Sequence, residues 1–299
     1  ECMYINHNQM ASNVANTLTS HYGNLQTSTK RLSTGLRVNS AADDAAGLAI
    51  RELMRTDITA LQQGVRNAND AISLIQTADG ALGVIDEKLT RMKELAEQAA
   101  TGTYDSTQRL MIESEYQAMA SEITRIANST DFNGIHLLNG NLSSSTHSGS
   151  AMTSTGKMKI HFGTANDSAE DYYYIQIGTS TASALGVGNQ ATASSTTADA
   201  RTVSTQEQAQ KALVGLTNAV VSKDKIRAHL GALQNRLENT ISNLTTQSEN
   251  LQAAESRISD VDVATEMTSF VRNQILTQSA VAMLSQANSM PQMAMQLIG

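Results

Sequence analysis

Six histidines, His7, His21, His136, His147, His161 and His229, are the residues of this chain best suited to hold a metal. Their spacing argues against that use. No two stand four apart with a carboxylate between them, the arrangement by which one helical face offers two imidazoles to zinc. Asp43-Asp44 and the pair Asp260/Asp262 could divide an acid and a base role. Each adjoins an expected helix junction, however, where a carboxylate serves the free N–H groups of a first turn. Gly186-Val187-Gly188 lacks the third glycine and the strand-to-helix setting of a dinucleotide site, and it reads as a turn. No serine sits in a nucleophile-elbow setting, and the N-x-Ser/Thr matches at Asn128, Asn141, Asn166 and Asn243 are too short a pattern to carry weight. Cys2 is the only cysteine, which excludes an intrachain disulfide and a cysteine cluster. The expectation is a protein without catalytic residues, cofactor or metal: not an enzyme.

The elements that carry these residues are long helices. The chain holds seven Tyr, three Phe, no Trp and a single proline, Pro291. Without proline the backbone can stay helical over long distances, and with few aromatics a compact globular core is hard to fill. The net charge of −7 disfavours a general nucleic-acid or anionic-membrane binder. There is no run of 18 apolar residues and no basic segment leading into an apolar one, so neither a membrane span nor a cleavable signal is expected, and export would follow another route.

Charge is absent from both ends, between Cys2 and Thr29 and between Asn273 and Gly299. Val14, Leu18, Leu25 and Leu32 at one end, and Met267, Val271, Ile275 and Leu284 at the other, follow helical spacing. A solvated helix keeps a charged face, so both stretches look built to be covered by other protein. Between them, a stripe from Met54 through Ile58, Leu61, Ile75, Leu82, Leu89, Met92 and Ala96 to Ala99 advances by threes and fours. A helix from Ala45 to Ala99 would be roughly 80 Å long, weakened locally by Gly47, Gly64, Gly80 and Gly83. A second helix is predicted from Thr107 to Asn128, before a turn at Asp131-Phe132-Asn133-Gly134. A third starts near Ser204 and carries Leu230, Leu237, Leu244, Leu251 and Ile258 at intervals of seven, the mark of a coiled coil or long bundle. In the middle, Met158, Ile160 and Phe162, then Tyr173, Ile175 and Ile177, alternate with polar residues and predict a β-hairpin within 157–178. Asn141 to Gly156 and Thr192 to Asp199 read as exposed linkers. The predicted fold is mainly α: long antiparallel helices in a rod-like bundle with paired terminal helices and one small hairpin.

Three sets of residues also carry a family resemblance. Ile5-Asn6-His7-Asn8, the run Ser33-Thr34-Gly35-Leu36-Arg37-Val38-Asn39-Ser40-Ala41-Ala42-Asp43-Asp44-Ala45-Ala46-Gly47-Leu48-Ala49-Ile50, and Phe132-Asn133-Gly134 resemble the N-terminal region of bacterial flagellin. Arg257-Ile258-Ser259-Asp260-Val261-Asp262 and Ala287-Asn288-Ser289-Met290-Pro291-Gln292 resemble its C-terminal region. The resemblance implies an inner domain, D0, from residues 1–44 with 256–299, and an outer domain, D1, from 45–255, with no separate D2 or D3 because the inserts are short. It implies a secreted, extracellular subunit of the helical flagellar filament. Its partners would be further copies of itself, a flagellar export chaperone, the flagellar type III export apparatus, the hook-junction and cap proteins, and a host flagellin-sensing Toll-like receptor. For that receptor the resemblance points to Arg91, Leu95 and Glu115; Arg91 and Leu95 lie off the stripe of Leu89, Met92 and Ala96, on a face expected to be exposed. A hook–filament junction protein is the alternative within the structural class, and a secreted enzyme on a flagellin scaffold the alternative outside it. A membrane-inserting translocator would need a longer apolar stretch than either end provides.

Overall fold

The computed structural model describes residues 8–149, 155–168, 170–189 and 198–298. Six helices account for most of them: α1 (Gln9–Thr34), α2 (Ala45–Ala100), α3 (Ser106–Ser129), the short α4 (Ala182–Leu185), α5 (Gln206–Ser259) and α6 (Val263–Ile298). Three antiparallel two-stranded pairs accompany them: β1 (Asp131–Phe132) with β2 (Ile135–His136), β3 (His147–Ser148) with β4 (Thr155–Gly156), and β5 (Met158–His161) with β6 (Tyr172–Ile175). The chain divides into two compact units, one from the described residues of 1–58 and 249–299, the other from those of 59–248.

In the first unit the two ends of the chain pair. Asn8 caps α1 through its side-chain oxygen on the Ala11 N–H (3.0 Å), and α1 stops at Gly35, whose φ of 72° is the left-handed conformation glycine adopts without strain. The helix runs antiparallel to α6: the Asn8 side chain donates to the Ala287 carbonyl (2.8 Å) near one end, and Arg31 lies 3.6 Å from Glu266 near the other. The covered positions of α1 are Ala11, Val14, Leu18, His21, Leu25, Ser28 and Leu32, alternating steps of three and four; those of α6 are Phe270, Asn273, Thr277, Ala280, Leu284 and Ala287, in the same rhythm. Small and polar residues at half these sites let the helices approach closely at the expense of apolar area.

Two of the four junction carboxylates, Asp44 and Asp262, cap helices. Asp44 accepts the Gly47 N–H (2.9 Å) at the start of α2, and Asp262 accepts from the Ala264 and Thr265 amides and the Thr265 hydroxyl at the start of α6. Asp43 holds the Asn39 and Ser40 amides and the Ser40 hydroxyl. The loop after α1 is tied to the α5–α6 junction by the Arg37 amide on the Ser259 carbonyl (2.7 Å) and the Val261 amide on the Gly35 carbonyl (3.0 Å).

The second unit packs its core from α2, α3, α5 and the hairpins. Ala68, Ile75, Ala78, Leu82, Ile85, Leu89, Met92, Ala96 and Ala99 from α2 join Ile112, Tyr116 and Ile123 from α3 and Leu216, Leu230 and Leu237 from α5. The buried Tyr116 hydroxyl donates to the Ala200 carbonyl, and burial pushes its pKa far above the ordinary phenol range. At β1–β2 the expected turn is a two-residue hairpin in which Asn133 (φ 53°) and Gly134 (φ 79°) both take the left-handed region, as the tightest hairpins require. In β5–β6 Met158, Ile160, Tyr173 and Ile175 turn to the core. The stretch from Asn141 to Gly156 departs from the expected open linker. It contains the β3–β4 pair, and Leu142 is buried, because its apolar side chain and the backbone groups around it find partners in the fold. Positions 192–197 of the other linker lie outside the described residues.

Gly64 has a reason beyond helix geometry. A Cβ placed there would stand 2.0 Å from the Phe162 carbonyl oxygen, while Asn67, one turn on, donates to the His161 carbonyl (2.8 Å). Together they seat the end of β5 on α2. Gly80 and Gly83 meet nothing within 4 Å. Gly80→Ala and Gly83→Ala are therefore expected to raise stability by up to about 1 kcal/mol each, and Gly64→Ala to lower it by about 1–3 kcal/mol through forced movement of the hairpin. Denaturant unfolding of the three variants checks the opposite signs.

Candidate functional site

An exposed apolar tract runs along α6. Val263, Met267, Val271 and Ile275, each four from the next, lie on the side away from α1, with Leu276, Met283 and Met290 beside them at intervals of seven. Met267, Val271 and Ile275 are 44%, 43% and 56% exposed. These three were expected to share one helical stripe with Leu284. The structure corrects this, since Leu284 belongs to the seam with α1 and the other three do not. The reason is periodic: steps of four drift around the helix, whereas a seam needs an average of 3.5. On α1, Val14, Leu18, Leu25 and Leu32 are all half-buried against α6. Leu230, Leu237 and Leu244 are buried in the second unit, and Leu251 and Ile258 are half-buried in the first.

The residues singled out on α2 and α3 come together in part. Arg91 Nη2 lies 2.8 Å from Glu115 Oε1, its Nε donates to the same oxygen (3.0 Å), and Nη1 reaches Glu94 Oε2 at 2.9 Å. Hydrogen bonding to Glu115 and then Glu94 reinforces the guanidinium charge, and all three groups are open to solvent. Leu95 departs from expectation: it is 1% exposed, inside the core with Ile112 and Tyr116. A single stripe on α2 would serve a single partner. This part of α2 has a second, α3, so the row beside Leu89, Met92 and Ala96 is buried as well.

Reading the sequence missed a buried cation. Lys223 on α5 is 1% exposed, bonded to Asp86 on α2 and to Asp224 (2.8 Å), and one turn on Arg227 bonds Asp79 (2.7 Å). Burial pulls the ammonium down, but the bonds to Asp224 and Asp86 outweigh it and its pKa rises; Arg227 holds Asp79 below the usual carboxylate range. The signal was present as basic residues four apart on one helix and acidic residues seven apart on another, without anything to say that the two faced each other. Among the described residues no group of three or more His, Cys, Asp or Glu could hold a metal, and no helix is long and apolar enough to cross a membrane.

Residues 5–143 match the bacterial flagellin N-terminal helical region, and residues 213–298 the bacterial flagellin C-terminal helical region. This chain belongs to the bacterial flagellin family. It is similar to the flagellar filament 33 kDa core protein of Treponema phagedenis, at 41% identity over 99% of this chain and all of that one. It is also similar to the flagellin of Bacillus subtilis strain 168, at 42% identity over 99% of this chain and all of that one. The crystal structure of Bacillus cereus flagellin matches 64% of this chain and 94% of its own, at 29% identity and a TM-score of 0.45.

Proposed function

We propose that this flagellin-family chain is a structural subunit of the flagellar filament that polymerises through its terminal helices, with the D0 domain formed by 1–44 and 256–299 and D1 by 45–255. The observation that carries the reading is the second face of α6. It is apolar, has no charge beyond Arg272, and has no partner among the described residues. Fully covering a side chain of this size contributes about 1.5–3 kcal/mol, and half-covered ones roughly half of that. One helix face then contributes several kcal/mol to association, against a cost of about 4–15 kcal/mol for immobilising a subunit. A head-to-tail polymer, in which each subunit meets several neighbours, closes that gap. Negative-stain microscopy of purified protein added to filament fragments tests it: elongation of the seeds is expected, and seeds of unchanged length would refute the assignment. The same exposed face suits the mask of a flagellar export chaperone, and the type III export apparatus, hook-junction and cap proteins follow as partners from the family.

A second reading concerns the host flagellin-sensing Toll-like receptor, and it is favoured by the exposed Arg91–Glu115 pair on adjoining helices. With Leu95 buried, the charged pair forms the contact and Leu95 supports it from beneath. Arg91→Ala is expected to weaken receptor binding by monomer at unchanged melting temperature. Leu95→Ala is expected to cost about 2–5 kcal/mol of stability through the cavity it leaves. Receptor affinity equal to wild type in Arg91→Ala, or no binding by wild-type monomer, would remove the site.

A further inference from the structure

The last turns of α1 and the loop that follows enclose a pocket of about 210 Å³ lined by Gln26, Thr27, Lys30, Arg31, Asn39 and Asp43. Gln26 and Lys30, and beside them Thr27 and Arg31, are four apart and so stand one above the other on the same helical face. Lys30 and Arg31 are the first charges after the uncharged N-terminal stretch. Neither is fully satisfied among the described residues. Lys30 has no ion partner within 4 Å among the described residues; it acts on Asp43 only at a distance. Arg31 offers five N–H donors, yet its one charged neighbour, Glu266, stands 3.6 Å away, and its Nε is buried with no acceptor. The polar wall is committed elsewhere: Asp43 to the Asn39 and Ser40 groups, the Thr27 hydroxyl to the Gly23 carbonyl, and the Asn39 amide to Thr34 and Leu36. The one carboxylate in the wall, Asp43, is turned to its own loop, so Lys30 and the Arg31 Nε are left without an acceptor among the described residues.

We propose that this pocket receives a carboxylate side chain from a second copy of the chain, making an ion pair between subunits with Lys30 and Arg31. Charge complementarity selects the occupant. The chain carries 28 Asp and Glu against 21 Lys and Arg, so a neighbouring copy presents carboxylates in excess. The volume admits a carboxylate and a few waters but not a folded segment. Packing two carboxylate acceptors against a guanidinium and an ammonium supplies the charge-assisted bonds that Arg31 lacks. The inference rests on the filament reading above, and it adds a polar, salt-sensitive contact to an assembly otherwise driven by apolar surface.

The test is seeded elongation of full-length wild type, Lys30→Gln, Arg31→Gln and Lys30→Glu, with Lys225→Gln as a control for loss of one positive charge, read as critical concentration across NaCl concentration. Lys30→Gln is expected to raise the critical concentration about fivefold at low salt, the size of one partly exposed ion pair, and Lys30→Glu to raise it further, while monomer melting and Lys225→Gln match wild type. Because the Debye length falls from about 10 Å at 0.1 M to about 3 Å at 1 M salt, wild type and Lys30→Gln should converge as NaCl rises. Equal critical concentrations for wild type and both Lys30 variants at low salt would overturn the proposal. So would millimolar inorganic phosphate that raises the melting temperature of wild-type monomer but not of Lys30→Gln, since the pocket would then serve a free anion. If wild type itself fails to extend seeds, the filament reading fails instead.

Discussion

Removal of Asn273 to Gly299 is expected to leave a soluble helical monomer that extends no seed at any accessible concentration. The deletion takes away most of the exposed apolar face of α6 and the part of the seam on which the N-terminal half of α1 rests. The described residues of 59–248 form a compact unit with its own core, so helical content persists there. α1 should lose order in the truncated monomer, because half of its seam positions are small or polar and an isolated helix of its length is marginal in water. Sedimentation, circular dichroism and electron microscopy of the truncated protein check the three parts of this outcome. Filaments formed by it would show that α6 is dispensable for assembly.

The second large effect is expected at the centre of α5. Leu237 is fully buried, so Leu237→Asp places a carboxylate in the apolar core beside Leu230 and Leu233. An unpaired buried charge costs about 3–5 kcal/mol. Leu244→Asp should behave alike, at a slightly more accessible site, whereas Ser242→Asp lies on the exposed side and should stay within about 0.5 kcal/mol of wild type. Thermal or denaturant unfolding separates them, and equal stability of the three variants would contradict the register of α5.

What was legible in the sequence is what periodicity and punctuation encode. The stripe from Ile58 to Ala99 is the buried side of α2, the intervals of seven from Leu230 to Leu244 are the buried side of α5, and the alternation at Met158 and Ile160 is the inner face of β5. Gly35 and the Asn133-Gly134 pair mark turns because few other residues tolerate their backbone angles. What was missed depends on partners. A stripe says that a helix has a covered side but not how many helices cover it, which is why Leu95 was placed outside the core. In the same way, α6 has two apolar sides, and only the presence of α1 decides that Leu284 faces inward while Met267, Val271 and Ile275 do not. Lys223 escaped notice because nothing local distinguishes a buried lysine from a solvated one until Asp86 is brought across from another helix.

The pairing of α1 with α6 also orders events in time. α1 is synthesised well before its partner, which starts only at Val263. Joining ends separated by some 230 residues costs about 2 kcal/mol more in chain entropy than closing a 20-residue connection. The contacts that repay it are lean, since His21, Ser28, Asn273 and Thr277 occupy positions where leucines would hold more firmly. The described residues of 59–248 have shorter connections to close, so the terminal seam is expected to be the last part to close and the first to reopen. Until that seam closes, each end of a subunit is free to meet a different chain before it meets the other.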